Sequence, residues 1–371
     1  VKHFFLTILI LNLLKVNSQS LDSLLTASLK LKTDTERINL FYREGFSNRA
    51  IDPQYSFNCA KEAERCAQKV GSPYYTAKAN NLLGILYYRK NDLVTALSYH
   101  KKALKLRIII LDKKGIAASE INLGNIYGEL KRYTLAEKAY LKALNINNEL
   151  NDQKQVGNCL LNLGVLKTEL GSSGKDSANI IPAKIYFDKA LENAKTRNDY
   201  ELEAECLNNL AVINTILKKF DAAVANCLNS IKIKDLMDNK MEMADSYLNL
   251  AVVFLKKGET QSCLVNLQIA DSIITKYNYI TAKISLLKLK SEFYEQTKNY
   301  PLAFKFISEH YKLKDSLEKI NLEIKPDNNF TETVLLAENK KSSEPGFPYL
   351  FMNILIILSI LIIGFAFKFK R

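Results

Sequence analysis

The sequence predicts an all-α chain: a solenoid of about seven helix pairs with a period of 40 residues, then one C-terminal transmembrane helix. Three observations predict it. Helix breakers are scarce, with 13 Gly and 7 Pro in 371 residues. A Leu-small phrase recurs at fixed spacing. One long uncharged apolar run lies near the C-terminus.

The phrase stands at Leu83-Gly84, Leu123-Gly124 and Leu163-Gly164, spaced by 40. Leu210-Ala211 follows after 47, Leu250-Ala251 after 40, and a further 40 reaches Ser291. Twelve residues after the small residue comes another, at Ala96, Ala136, Ala223, Cys263 and Ala303. In the fourth unit it is Ala183, seven late, because the loop Gly171–Ser177 holds extra residues. Seven residues further on stand Ala103, Ala143, Ala190, Ser230 and Ala270. Between these small positions lies a slot for an aromatic or apolar side chain, as in Tyr140, Phe187, Leu267 and Ile307, with His100 in the same place.

Physical reasons follow for each position. The small residue after Leu sits where the first helix of a unit, helix A, approaches the second, helix B. The small pair on helix B lets the next helix A pack closely. The aromatics are expected to fill the gap between units. Each unit buries its apolar stripe by stacking on its neighbours, so stability is shared along the array. The register gives units at 37–76, 77–116, 117–156, 157–203, 204–243, 244–283 and 284–323. In the first, Ser56, Ala60 and Ala63 fill the helix-B positions but helix A lacks Leu-Gly; the last carries Lys290-Ser291 there. Degenerate end units suit capping.

The order Leu-Gly-x-x-Tyr, then Ala-x-x-x-aromatic-x-x-Ala, resembles the tetratricopeptide repeat. The period is similar to that of the long-helix-B variant in bacterial regulators and kinesin light chains. The resemblance covers about three-quarters of the chain. It implies fold more strongly than function.

The two ends read as addresses. Residues 1–20 have a basic start at Lys2, an apolar run from Phe4 to Leu14 and small residues at Ser18 and Ser20, the pattern of a signal peptide. Residues 21–36 form an N-terminal cap segment and 37–323 the solenoid. Residues 324–348 are a polar linker with Pro326 and Pro345-Gly346. Residues 349–367, YLFMNILIILSILIIGFAF, are long enough for a transmembrane helix. Lys368, Lys370 and Arg371 then make a basic tail at 368–371, which the positive-inside rule places in the cytoplasm. The expected location is the bacterial inner membrane, single-pass, with the solenoid in the periplasm.

This layout resembles a sensor family of Bacteroidetes, with a signal peptide, a Leu-rich short helix, these repeats and one transmembrane helix. Leu21-Asp-Ser-Leu-Leu25, Thr33-Asp-Thr-Glu36 and Lys314-Asp-Ser-Leu317 carry the likeness. It implies a cytoplasmic output, such as a histidine kinase or a DNA-binding domain, supplied by the same chain or by a partner.

Composition narrows the chemistry. The net charge of +13 comes from dispersed lysines such as Lys101-Lys102 and Lys218-Lys219, which read as solvated surface rather than a nucleic-acid stripe. The six cysteines, Cys59, Cys66, Cys159, Cys206, Cys227 and Cys263, have no zinc-site spacing and read as small core residues. The three histidines, His3, His100 and His310, suggest neither a metal site nor a triad. No phosphate loop, metalloprotease or kinase motif occurs. The chain is therefore expected to carry no catalytic site, no metal and no cofactor.

One constellation points to binding. Asn122, Asn162, Asn209 and Asn249 each precede the Leu-small phrase, and Asn81, Asn125, Asn158 and Asn208 lie nearby on helix A. In such solenoids helix A lines the concave face. A column of carboxamides there offers paired donors and acceptors to an extended peptide. The column also suits a structural ladder between adjacent A helices, and the two roles are compatible. Glu129, Glu169, Glu205 and Asp245 share these helices and favour a basic or polar ligand. The expected function is a membrane-anchored periplasmic protein-interaction module, the peptide or protein input of a signalling receptor. A static periplasmic scaffold and the N-terminal part of a histidine kinase are the alternatives.

Overall fold

The computed structural model describes residues 23, 24, 26–172 and 177–323. The expected signal peptide, linker, transmembrane helix and basic tail lie outside these residues. Among the described residues the regular structure is helical, and no helix is long and apolar enough to cross a membrane. The chain divides into two compact units, one holding the described residues up to Tyr75 and the other Thr76–Ile324.

The first unit holds α1 (Asp34–Asn48) and α2 (Pro53–Val70). The Thr33-Asp-Thr-Glu36 phrase is a capping box: the Thr33 hydroxyl accepts from the Glu36 N–H, and the Glu36 carboxylate accepts from the Thr33 N–H at 3.0 Å. Ile38, Phe41 and Phe57 form the core of this hairpin. Ser56 Oγ donates to the Gly45 carbonyl where the two helices cross.

The second unit stacks six helix pairs. Their helices are α3 (Pro73–Arg89), α4 (Leu93–Ile109), α5 (Lys113–Glu129), α6 (Tyr133–Glu149), α7 (Gln153–Ser172) and α8 (Ile180–Thr196). They continue as α9 (Tyr200–Ile216), α10 (Phe220–Leu236), α11 (Met243–Lys257), α12 (Thr260–Tyr277), α13 (Ile280–Gln296) and α14 (Tyr300–Glu323). Odd-numbered helices from α3 on are A helices and even-numbered ones are B helices. Helices α3, α5, α7, α9 and α13 begin four residues before the unit boundaries read from the sequence.

The connectors obey a finer period than the repeat. Left-handed residues stand at 71, 91, 111, 131 and 151, then at 198, 218, 238, 258, 278 and 298, so the interval is 20 within each run. At Asn91 the chain closes helix α3 with two bonds: Asn91 N–H to Tyr88 O and Asp92 N–H to Tyr87 O, each 2.9 Å. Asp92 then caps α4 by accepting from Thr95 N–H at 3.1 Å. Asp112 and Asp199 repeat this for α5 and α9. A short connector thus ends one helix and starts the next.

The crossings show what the small residues do. A Cβ placed on Gly84 would lie 2.6 Å from His100 Nε2, and one on Gly124 or Gly164 would lie 2.5 Å from the ring of Tyr140 or Phe187. Each ring therefore sits on the glycine of its own helix pair, rather than only in the gap between units as the spacing had suggested. Ala96, Ala136, Ala183 and Ala223 on the B helices are fully buried. In the later pairs Ala211 packs in one cluster with Cys227, and Ala251 in one with Leu267. Ser291 Oγ donates to Ala303 O at 2.9 Å. The six cysteines are buried and form no disulfide.

Candidate functional site

Successive A helices form one face of the Thr76–Ile324 unit, and a cleft of about 260 Å³ opens on it across α3, α5 and α7. Asn125, Gly128 and Glu129 come from α5, and Asn162, Val165, Leu166 and Glu169 from α7. Tyr88 of α3 and Tyr140 of α6 complete the lining. The Tyr140 ring rests on Gly124, which carries its hydroxyl through to donate to Asn125 Oδ1 at 2.7 Å. Tyr88 Oη lies 3.5 Å from Glu129 Oε1.

The expected asparagine column divides by what each amide already holds. Asn122 Nδ2 donates to Asn81 Oδ1 at 3.0 Å, and the buried Asn81 also accepts from Arg107 Nη1 at 3.4 Å. That guanidinium is fixed further by Gly115 O and Ser119 Oγ at 2.9 and 2.7 Å. Asn208 is buried and donates to Ser246 Oγ at 3.0 Å. Asn209 Nδ2 turns back to Glu205 O at 2.9 Å, and Asn158 Nδ2 reaches Gln155 Oε1 at 3.4 Å. Asn162 and Asn249 are half-buried, and neither amide bonds another described residue. Asn162 lines the cleft just described, and Asn249 lines a second one on α9 and α11. Thus the two amides of the column that bond no other described residue both face clefts.

Charge in the first cleft is negative. Burial and the neighbouring Glu129 raise the carboxyl of Glu169 above its ordinary value. Burial, then Glu129, pushes the Tyr88 hydroxyl up to about 12. A cationic guest would relieve the repulsion between Glu129 and Glu169, whereas an anionic one would add to it. Asp245, also expected near the ligand, is engaged instead: its carboxylate accepts from Tyr279 Oη at 3.0 Å. Glu205 is absent from both clefts.

Sequence reasoning missed Gly128, Tyr88 and the place of Tyr140 in the cleft lining. Gly128 has a readable signal. Its equivalents four residues after the Leu-small phrase are Tyr88, Thr168, Thr215, Leu255 and Glu295. A Cβ at Gly128 would meet nothing within 4 Å, so packing does not require this glycine. It opens the cleft floor at a helix-propensity cost of about 1 kcal/mol relative to alanine.

The comparisons with known proteins bear on this same stretch. Residues 115–175 match the tetratricopeptide repeat family model. That tetratricopeptide segment contributes Asn125, Gly128, Glu129, Tyr140, Asn162 and Glu169 to the cleft. The regulatory protein RapG of Bacillus subtilis (strain 168) is 27% identical over 114 residues, 30% of this chain and 31% of RapG. The match therefore spans less than a third of that relative's length. The apo form of RapI superimposes with a TM-score of 0.62 at 16% identity, over 76% of this chain and 99% of that one. The Rap conjugation gene regulator of plasmid pLS20, in complex with the Phr* peptide, gives 0.62 at 14% identity over 78% and 77%. At these identities the likeness is one of fold, a tetratricopeptide-type helical solenoid. Among the described residues, no group of three or more His, Cys, Asp or Glu could hold a metal ion.

Proposed function

We propose that this chain is a peptide-binding tetratricopeptide module and the input region of a membrane-anchored receptor, with its site in the cleft of α3, α5 and α7. The carrying observation is that cleft: an unspent carboxamide at Asn162, two carboxylates, two tyrosine hydroxyls and a glycine floor that packing does not need. Such a surface suits an extended backbone bearing a cationic or amide side chain. The fold likeness to a regulator solved with a peptide supports the same reading.

Gly128→Leu tests it. Its β-carbon meets nothing within 4 Å, so the leucine should project into the cleft floor, with better helix propensity than glycine. Binding of an acetylated hexapeptide pool with arginine at its first position should fall by at least about 10-fold, a loss of ~1.4 kcal/mol, with the circular dichroism spectrum unchanged. Undiminished binding would remove the cleft from consideration.

The receptor part of the proposal rests on the signal-like residues 1–20, the apolar run 349–367 and the basic tail. It places the solenoid in the periplasm and the tail in the cytoplasm, with signal transduction passing to a cytoplasmic output. Alkaline phosphatase fused at Lys325 should be active, and fused after Arg371 inactive. The reverse pattern would refute this topology.

A further inference from the structure

The second cleft is the first one repeated in register with its chemistry changed. It measures about 330 Å³ and lies on α9 and α11. Adding 87 residues, one interval of 40 and one of 47, carries six of the nine lining residues of the first cleft, those of α5 and α7 apart from Leu166, onto lining residues of the second. Asn162 becomes Asn249, and an amide without a described partner is kept. Gly128 becomes Thr215, Glu129 becomes Ile216, and Glu169 becomes Lys256. Val212 and Phe220 add apolar wall, and Lys218 stands at the rim. Lys218 and Lys256 are exposed and form no ion pair among the described residues, whereas the adjacent Lys257 is held by Asp221 and Glu259. The two carboxylate places of the first cleft thus hold Ile216 and Lys256 in the second, and Lys218 adds another free ammonium group at the rim, where its counterpart Lys131 does not line the first cleft.

We infer that the ligand is a bipolar extended peptide bridging both clefts. Its cationic or amide group lies between Glu129 and Glu169. An apolar side chain lies against Val212, Ile216 and Phe220, beside a carboxylate that meets Lys218 and Lys256. This rests on the peptide-binding reading of the first cleft and adds the chemistry of the other end. The clefts are two A-helix steps apart. Packed helix axes lie about 8–10 Å apart, so the bridge covers roughly 16–20 Å. At about 3.3 Å per extended residue this is five or six residues. Asn209 of α9 occupies the column position between Asn162 and Asn249. The carboxylate can be a chain terminus or an acidic side chain.

The test uses the full chain in detergent and defined synthetic pools. The parent pool is an acetylated hexapeptide with arginine first, leucine last and four mixed positions between. One pool is a free acid, one is amidated, and one is amidated with glutamate beside the leucine. A fourth is the free acid with aspartate first, and a fifth is a free-acid tripeptide with one mixed position. The arginine-first free-acid hexapeptides should bind best. Amidation should weaken them about 3- to 10-fold, the size of a partly exposed charge-assisted contact. Glutamate restores affinity if a side chain can supply the carboxylate; without restoration, the source is the terminus. The double change Lys218→Gln and Lys256→Gln should abolish the preference for acid over amide and leave the preference for arginine over aspartate. Glu129→Gln should do the opposite. The tripeptide, too short to bridge, should show only one of the two dependences. Equal binding of acid, amide and glutamate pools would overturn the bipolar inference, as would a tripeptide showing both dependences. If the arginine preference and the Glu129→Gln effect persisted, the first-cleft reading would stand. Binding by no pool, or binding indifferent to both ends, would overturn both.

Discussion

The first three helix pairs of Thr76–Ile324 and the last three fill the same crossing with different atoms. In α3 to α8 a glycine faces a ring: Gly84 with His100, Gly124 with Tyr140, Gly164 with Phe187. In α9 to α14 a larger small residue occupies the glycine place and a smaller group the ring place: Ala211 with Cys227, Ala251 with Leu267, Ser291 with Ile307. Volume removed from one helix is returned by the other, as close packing demands. The exchange also has a consequence for the clefts. Where a ring crosses a glycine it can deliver a hydroxyl to the A-helix face, as Tyr140 does to Asn125. Where a thiol meets an alanine, no polar group comes through, and the second cleft keeps an apolar wall.

His100 is the place where the early half should break most visibly, because its ring titrates whereas those of Tyr140 and Phe187 stay neutral across the acid range. Burial, then Arg107, holds its pKa near 4, below the ordinary 6.5. Between those values the unfolded chain binds a proton that the folded one does not. Stability should therefore fall as pH falls from about 6.5 to about 4, by up to ~3 kcal/mol. His100→Phe, which copies the Phe187 solution, should remove this slope. Urea midpoints of parent and variant at pH 7 and pH 4 measure it; parallel pH profiles would show that His100 is not the titrating group.

The crossings themselves should respond with opposite preferences in the two halves. Gly164→Ala sets a methyl 2.5 Å from Phe187, and overpacking should outweigh the propensity gain for a net loss of about 1–2 kcal/mol. Adding Phe187→Leu, the pairing of Ala251 and Leu267, should recover part of that loss. Ala251→Gly in the later half should cost about 1 kcal/mol in the reverse sense. A double-mutant cycle showing simple additivity at Gly164 and Phe187 would mean that the exchange of volume is not a coupled one.

The smallest effect tests what the halves share. Leu111 and Lys298 hold left-handed backbone at φ 55 and 60 degrees, where Asn91 and Asn278 stand in equivalent connectors. Leu111→Asn and Lys298→Asn should each stabilise by about 0.5–1 kcal/mol, because asparagine enters this region at lower cost. Equal gains would show that the halves differ in their crossings and not in their connectors; unequal gains would locate a second difference.

Much of this was legible in the sequence because a period needs no coordinates. The Leu-small phrase placed Gly84, Gly124 and Gly164 on A helices, and the Ala positions on B helices. The azimuth of neighbouring residues was less legible. Asn81 and Asn122 are 41 residues apart, one more than the repeat, and Asn208 directly precedes Asn209. One residue is about 100 degrees around a helix, enough to turn Asn81 and Asn208 inward. The 20-residue connector period escaped notice because its left-handed positions hold Asn, Asp, Lys, Leu and Gly alike. Backbone closure, rather than one residue type, repeats there.

That connector period has a consequence for how the array can change length. Inserting one residue inside a helix would rotate everything beyond it by about 100 degrees and point every later cleft residue elsewhere. The chain has taken on seven extra residues, since Asn151 and Asn198 are 47 apart where other repeats take 40. Helix α8 nevertheless keeps its 17 residues, and Asn249 still stands where Asn162 predicts. Gains and losses of sequence are therefore tolerable at the joints and in whole repeats. An ancestor could have shortened or lengthened the distance between the two clefts only in steps of one helix pair, so descendants of such a scaffold would be expected to differ in ligand length by about three residues at a time, the span of one ~10 Å step.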